Sequence, residues 1–348
     1  MEVAYYLLPY ILLLFLSMIN ISVNSKVSNT LMAILLFLFA ALRYDVGYDY
    51  MNYADVVKSE QIFNMEFFEA LIIELCHKQN SPQLFFVINS FITVFCVYWA
   101  AIKKSPNVAI TLFAFLCLPL LYLHSMSIVR FWTALSMVFL ASTYLLDKRY
   151  LLFIVINILA IGFHNAAIVG FLFLPLSFVK LNKNINLSIL AASFVLSALI
   201  RSFVSQFTES DNLFAMAFLD YANADEGVSG FSRLPYVFLV FDLYFLLGTR
   251  RAQLRHPELS KFIDIYNIGC CVMFLLVFQP TLSSRLSRFF IVYVIFIAPY
   301  IISERGKLNI TEKRVAFYFI CSFLYIFMLT IFNKSLNRYE YLPYQLFF

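Results

Sequence analysis

The sequence predicts an all-α, polytopic membrane protein of about 12 transmembrane helices, read as a single integral-membrane domain over residues 1–348. Hydrophobic residues fill 62% of the 348 positions and charged residues only 13%. That is too little charge to cover a soluble domain of this length. Mean hydropathy is +0.83. The polar residues gather in connections between apolar runs, most of them close to the ~20 residues that cross a hydrocarbon core.

Taken in order, the run 3–22 lacks a basic front and a small-residue cleavage site, so it reads as a retained helix and not a signal peptide. The run 29–42 follows Lys26 and stops at Arg43. Lys103 and Lys104 separate 83–102 from 107–123, and Lys148 and Arg149 separate 127–146 from 150–163. Only His164 and Asn165 part 150–163 from 166–179; Lys180 and Lys183 precede 185–203. After a long connection come 234–248, 262–280, 287–302 and 315–332. The six cysteines, Cys76, Cys96, Cys117, Cys270, Cys271 and Cys321, form no Cys-x-x-Cys pair and read as small hydrophobes. No metal-ligand spacing, no cofactor motif and no basic tract with interleaved aromatics is visible, so neither a metal nor nucleic acid is expected as a partner.

The net charge of +5 matters less than its distribution. Lys26, Lys103, Lys104, Lys148, Arg149, Lys180, Lys183, Arg250, Arg251, Arg255, Lys261, Arg305, Lys307, Lys313 and Arg314 occupy one set of turns. The acids concentrate in the alternate connections: Asp45, Asp49, Asp55, Glu60, Glu66, Glu69 and Glu74 in one, Glu209, Asp211, Asp220, Asp225 and Glu226 in another. Basic turns face the cytoplasm. Both termini and the long connections 43–82 and 204–233 are therefore expected outside. Phe63, Phe67, Phe68, Leu71 and Leu75 recur at helical spacing opposite Glu66, Glu69 and Glu74, which predicts an amphipathic helix, lying on the outer surface or packed on the bundle.

Helical rise converts spacing into depth. Counted from the nearest basic turn, Arg43, Arg233 and Arg288 lie at roughly 25 Å, Arg130 at roughly 27 Å and His164 at roughly 22–24 Å, inside a core of about 30 Å. They share one outer layer, which suggests a water-filled basin; Asp242 sits nearer midspan and is expected to pair with a neighbouring helix. Clustered guanidinium forks match the oxygens of a diphosphate. A diphosphate at the outer leaflet suggests a polyprenyl-linked substrate, and carboxylates with an imidazole beside it suit proton transfer. Tyr44, Tyr48, Tyr50 and Tyr53 either stack on sugar faces or belong to the interfacial aromatic belt.

The pattern Arg43-Tyr44-x-Val46-Gly47-x-Asp49-Tyr50-x-x-Tyr53 resembles the signature of the EpsG-like group of Wzy polysaccharide polymerases. Ser127-x-x-Arg130-x-x-x-Ala134, Phe163-His164 and Arg288-Phe289-Phe290 are similar to later features of that family, in the same order. Tyr48 and Phe131 depart from its pattern, where a small hydroxyl residue and glutamine are expected. The resemblance implies a GT-C-like helical bundle in the bacterial cytoplasmic membrane with its active site facing outward. It implies a glycosyltransferase, needing no cofactor, that joins undecaprenyl-diphosphate-linked repeat units into O-antigen, capsule or exopolysaccharide. Partners would be the carrier-linked repeat units, the growing polymer, membrane lipids, a chain-length regulator and a flippase. Arg43, Arg130, Arg285, Arg288 and Arg233 would hold diphosphate, Asp49 or His164, with Asp45 nearby, would take the attacking hydroxyl's proton, and Tyr44, Tyr50 and Tyr53 would contact glycan.

A flippase or other transporter is the first alternative, but transporters show internal repeats and midplane polar sites, and this chain has no visible repeat. A membrane O-acyltransferase would draw its donor from the cytoplasmic side, where little but basic anchors is found. An O-antigen ligase shares the donor and differs only in acceptor. Single cysteines at Asp55 and Asp220, but not at Gln253, are expected to react with an impermeant thiol reagent in intact cells; labelling at 253 would overturn the sidedness.

Overall fold

The computed structural model describes residues 2–23, 25–59, 65–207, 234–303, 309–330, 341 and 344–347. Contacts divide the chain into two compact units: Met1–Ser177 with Ala298–Asn333 and Arg338–Phe348, and Phe178–Ile297 with Lys334–Asn337. Among the described residues the structure is helical apart from one two-stranded pairing.

In the first unit, α1 (Glu2–Val23), α2 (Lys26–Ala41), α3 (Tyr50–Ser59), α4 (Phe67–Lys78), α5 (Pro82–Lys104), α6 (Val108–Cys117), α7 (Tyr122–Ser127), α8 (Val129–Leu146) and α9 (Tyr150–Ile161) follow in order. The 3-10 helix Asn165–Leu172 and α10 (Phe173–Phe178) come next. Helix α8 packs between α5 and α9, and α2 lies along α5. Every residue of α6 is buried, as an all-round apolar helix in a core must be. The Asn107 side chain accepts from the Ile110 N–H and caps its start. Lys103 and Lys104 both reach Asp147 at 2.7 Å, fastening the end of α5 to the end of α8.

The second unit is built on α11 (Lys183–Phe207), α12 (Leu234–Gly248), α13 (Arg250–Arg255), α14 (Pro257–Leu275) and α15 (Pro280–Ile291). Helix α14 packs on α11, α12 and α15. Buried polar pairs key these contacts: Asn186 to Asp264 at 2.7 Å and Asn267 to Asp242 at 2.7 Å. Asp242 thus takes its partner from a neighbouring helix. The chain continues through α16 (Val294–Ser303), and α17 (Ile310–Thr330) packs on α6 in the first unit.

An all-α protein with several apolar helices is what the structure shows; twelve continuous spans are not. Among the described residues, three helices, Pro82–Lys104, Val129–Leu146 and Lys183–Ser202, are long and apolar enough to cross a bilayer. Pro280–Ile291 with Val294–Ser303 adds a fourth if the pair, bent by 44°, is one span. The expected span 287–302 is this bent pair. The expected 107–123 stops at Cys117, where Leu120 adopts φ +61°, and 166–179 is a 3-10 helix followed by a short α-helix. Hydropathy marks apolar runs but not the turns that divide them.

Residues 43–59 and 65–82 fold onto the first unit. A cluster of Tyr50, Ala54, Val57, Ile73, Cys76, Phe85, Phe86 and Val129 seats α3 and α4 against α5 and α8. Helix α4 buries Glu69, Ile73 and Cys76, while Phe67, Leu71 and Leu75 stay exposed. It is packed on the bundle with its apolar row turned outward; Phe63 lies outside the described residues. All six cysteines are buried free thiols.

Strand β1 (Arg43–Tyr44) pairs antiparallel with β2 (Gln345–Leu346), with Arg43 opposite Leu346 and Tyr44 opposite Gln345. Phe347 N–H bonds the Leu42 carbonyl at 3.0 Å, and the Tyr344 ring stacks on Phe39 at 4.4 Å. Gly47 then adopts φ +94°, and a Cβ there would lie 2.1 Å from the Met126 carbonyl oxygen. Only glycine permits this approach. Gly47→Ala is expected to destabilise the protein by at least about 2 kcal/mol through clash and left-handed strain together, read as a lowered Tm in detergent; an unchanged Tm would show that the loop does not dock this way.

Candidate active site

The first motif builds a staple before it builds a site. Arg43 is 1% exposed. Its Nε donates to the Val46 carbonyl at 3.1 Å, Nη1 to Ala40 O and to Ser90 Oγ at 3.4 Å, and Nη2 to Met126 O at 3.2 Å. The guanidinium also lies over the Phe86 ring at 5.1 Å. A guanidinium withdrawn from water requires acceptors for its N–H groups, and here main-chain carbonyls from three segments supply them. Arg43 in this arrangement faces protein. Gln83 extends the staple, donating from Nε2 to the carbonyls of Ala41 and Arg43 while its Oε1 accepts from Tyr50 OH at 2.6 Å. Tyr50 is buried, stacked on Phe86 at 4.1 Å; Tyr44 is exposed with its ring edge on Tyr50. Asp45 is exposed, at φ +50°.

The staple brings the first motif against the second. Asp49 N–H donates to Ser127 O at 3.3 Å, and Asp49 O accepts from Tyr53 N–H at 3.0 Å, which starts α3 beside the N-terminal turn of α8. There the Arg130 Nε donates to Tyr53 OH at 2.6 Å, and Nη1 donates to Glu66 Oε2 at 2.6 Å. The Arg130 and Glu66 side chains are 20% and 10% exposed, so the pair is largely sheltered. Burial, against the pull of Arg130, pushes the Tyr53 hydroxyl up to about 12, and the nearby Asp49 charge adds to the rise. Tyr53 therefore stays a neutral phenol.

The third motif joins through the same glutamate. Glu66 Oε1 accepts from the Asn165 N–H at 3.1 Å. Phe68 N–H bonds the Gly162 carbonyl at 2.8 Å, and a Cβ on Gly162 would meet the Phe68 ring at 2.3 Å. His164 is half-buried at the start of the 3-10 helix, its ring perpendicular to Phe131 at 5.6 Å. Its Nδ1 accepts from the Ala166 N–H at 3.1 Å. A neutral imidazole so held carries its proton on Nε2 and presents a donor there.

Glu69 lies one turn beyond Glu66 and is fully buried. Its Oε2 accepts from Asn89 Nδ2 at 3.4 Å, Asn89 Oδ1 accepts from Thr133 Oγ1 at 2.7 Å, and Oε1 has no hydrogen-bond partner. Burial pushes this carboxyl up to about 8, against the opposing pull of Arg130 and Asn89. Glu69 thus holds its proton at neutral pH.

The site assembled in the first unit contains Arg130, Asp49, Tyr53 and His164 with the staple of Arg43 and Tyr50. Arg285, half-buried, and Arg288, buried, belong to α15 in the second unit, and Arg233 lies outside the described residues. Glu66 and Glu69 are additions. In sequence they are part of an acidic connection and of the polar face of α4, and no spacing rule links position 66 to 130 and 165. The one local hint is that Glu66 sits at the N-cap of α4 and makes no capping bond.

Because the folded-state pKa of Glu69 is raised above its unfolded value, folded Glu69 binds more protons than unfolded across roughly pH 4.5–8, and stability falls as pH rises through that window. Glu69→Gln copies the protonated acid. Its Tm relative to the parent is expected to be near zero shift at pH 5 and to increase steadily up to pH 9. A difference independent of pH would mean that Glu69 is ionised in the fold.

A family model described as the EpsG family matches residues 26–346. No curated protein and no solved structure matches the chain significantly. All four stretches that carry the resemblance lie within the match; three of them converge on the Arg130 site, and the fourth lies in the second unit. With nearly its whole length matched, the chain belongs to the EpsG family, a Wzy-like polymerase family.

Proposed function

We propose that this protein is a polysaccharide polymerase that transfers a glycan from its polyprenyl diphosphate carrier to the sugar end of a second carrier-linked repeat unit, at the outer face of the bacterial cytoplasmic membrane. The observation that carries the reading is Arg130: a sheltered guanidinium, oriented by Tyr53, at the meeting point of three separate motifs.

Charge develops on the leaving diphosphate as the anomeric C–O bond breaks, and a planar, preorganised cation beside it stabilises that charge where water is scarce. His164 contributes as a hydrogen-bonding group in this reading, its ring oriented by the Ala166 N–H at Nδ1. The proton of the attacking hydroxyl then goes to a carboxylate. Arg43 acts by placing the loop that carries Asp49 and Tyr53. The exposed ring of Tyr44, at the rim of this loop, is available to a sugar face.

In cells lacking the gene, the parent protein should restore a ladder of polymer lengths. Arg130→Lys should cut polymer above one repeat by about a hundredfold or more, since a point charge replaces the oriented fork. His164→Gln, which keeps a side-chain donor, should retain clearly more polymer than His164→Ala at equal protein abundance. Equal loss in both histidine variants would favour proton transfer through His164, and normal ladders in Arg130→Lys would remove the guanidinium from the mechanism.

A further inference from the structure

Glu66 occupies an unusual position. It sits at the N-cap of α4 and makes no bond to that helix's own first N–H groups. Both carboxylate oxygens are directed elsewhere, Oε2 to Arg130 Nη1 at 2.6 Å and Oε1 to the Asn165 N–H at 3.1 Å. The backbone on either side is set: Phe68 N–H is bonded to Gly162 O, and the Phe68 ring fills the space that a Gly162 side chain would need. A guanidinium and the N–H at a helix start, converging on two oxygens, form a receptor for a tetrahedral or planar oxyanion. The carboxylate is seated in it.

We propose that Glu66 is an internal stand-in for a phosphate of the carrier-linked substrate: its carboxylate holds the Arg130–Asn165 anion site in the substrate-free protein, is displaced by the diphosphate, and then serves as the general base. The proposal rests on the polymerase reading for its catalytic part only. In that step the acceptor hydroxyl oxygen bonds to the anomeric carbon of the donor glycan. The anomeric C–O bond to the carrier breaks, with its electron pair leaving on the diphosphate. The hydroxyl proton passes to the freed Glu66 carboxylate and afterwards to water. The exchange explains how one cation can be stable while sheltered and still be available to substrate: the charge is never left uncompensated. Tyr53 keeps the guanidinium plane in place through Nε while its Nη1 partner changes.

An internal occupant lowers the apparent affinity of the true ligand by the fraction of time the site is filled. Inorganic diphosphate, titrated calorimetrically into the detergent-purified full chain, is therefore expected to bind Glu66→Gln at least about fivefold more tightly than the parent. The same substitution removes the base and should reduce polymer above one repeat by roughly 10²–10⁴-fold in complemented cells. Adding Asn165→Pro to Glu66→Gln deletes one donor of the site and should weaken diphosphate by about tenfold. The extended backbone of His164, φ −159°, suits a residue before proline, and proline is tolerated at the first position of a helix. Should Glu66→Gln fail to fold, Glu66→Asp, too short to span both partners, is expected to bind diphosphate more tightly than the parent. Unchanged or weaker diphosphate binding in the folded variants overturns the stand-in. Tighter binding with parental ladders overturns the base and leaves the stand-in. Parent protein that binds diphosphate but restores no ladder counts against the polymerase reading, not against the anion site.

Discussion

A guanidinium carried out of water must find acceptors close by, and much of the site follows from how Arg43 meets that demand. Its donors reach the end of α2, the turn at Val46 and the end of α7. No hydrophobic contact could fix three main-chain segments with such directional control. Gly47 admits the resulting close approach, and the helix that begins three residues later delivers Tyr53 to Arg130. The two arginines divide the labour. Arg43 is satisfied by neutral carbonyls, keeps its full charge and is committed to architecture. Arg130 is oriented by a phenol and balanced by a carboxylate, an anionic partner that Arg43's carbonyls are not.

The electrostatic setting supports that division. Ionising Glu69 next to Glu66 and Asp49 would turn the surroundings of Arg130 strongly acidic and repel a diphosphate. Burial among Asn89, Thr133 and the α4–α5 contact keeps Glu69 neutral, so the site holds one cation against fewer anions than the sequence counts. The carboxyl lies too deep for water and is answered by an amide, with one oxygen unmet.

Much of this was legible in the sequence. The apolar runs mark the helices, and the cluster at 43–53, Arg130 and His164 stand out because polar groups at helix ends inside a membrane protein are few. What the sequence left ambiguous was environment. Phe67, Leu71 and Leu75 form the apolar row of α4 and suggest its buried face, yet the row is exposed and a glutamate is buried, because Ile73 and Cys76 on another face join the cluster with Phe85 and Phe86 of α5. Hydropathy cannot distinguish α6, sealed on every side, from a lipid-facing span, and it does not see the left-handed turn at Leu120. Arg43 and Arg130 carry equal charge in similar aromatic settings; only the carbonyl partners of one and the carboxylate partner of the other separate their roles.

The pairing of Arg43 with Leu346 also orders the assembly of the protein in time. Strand β2 is synthesised after every described helix, and its partner strand is made near the beginning. The ribosome therefore releases the first motif long before the residues that back it are available. Until Tyr344 stacks on Phe39 and Phe347 reaches Leu42, the loop that carries Asp49 lacks one of its supports. A nascent chain, with its early helices already made, would thus hold this loop incompletely braced until β2 is synthesised.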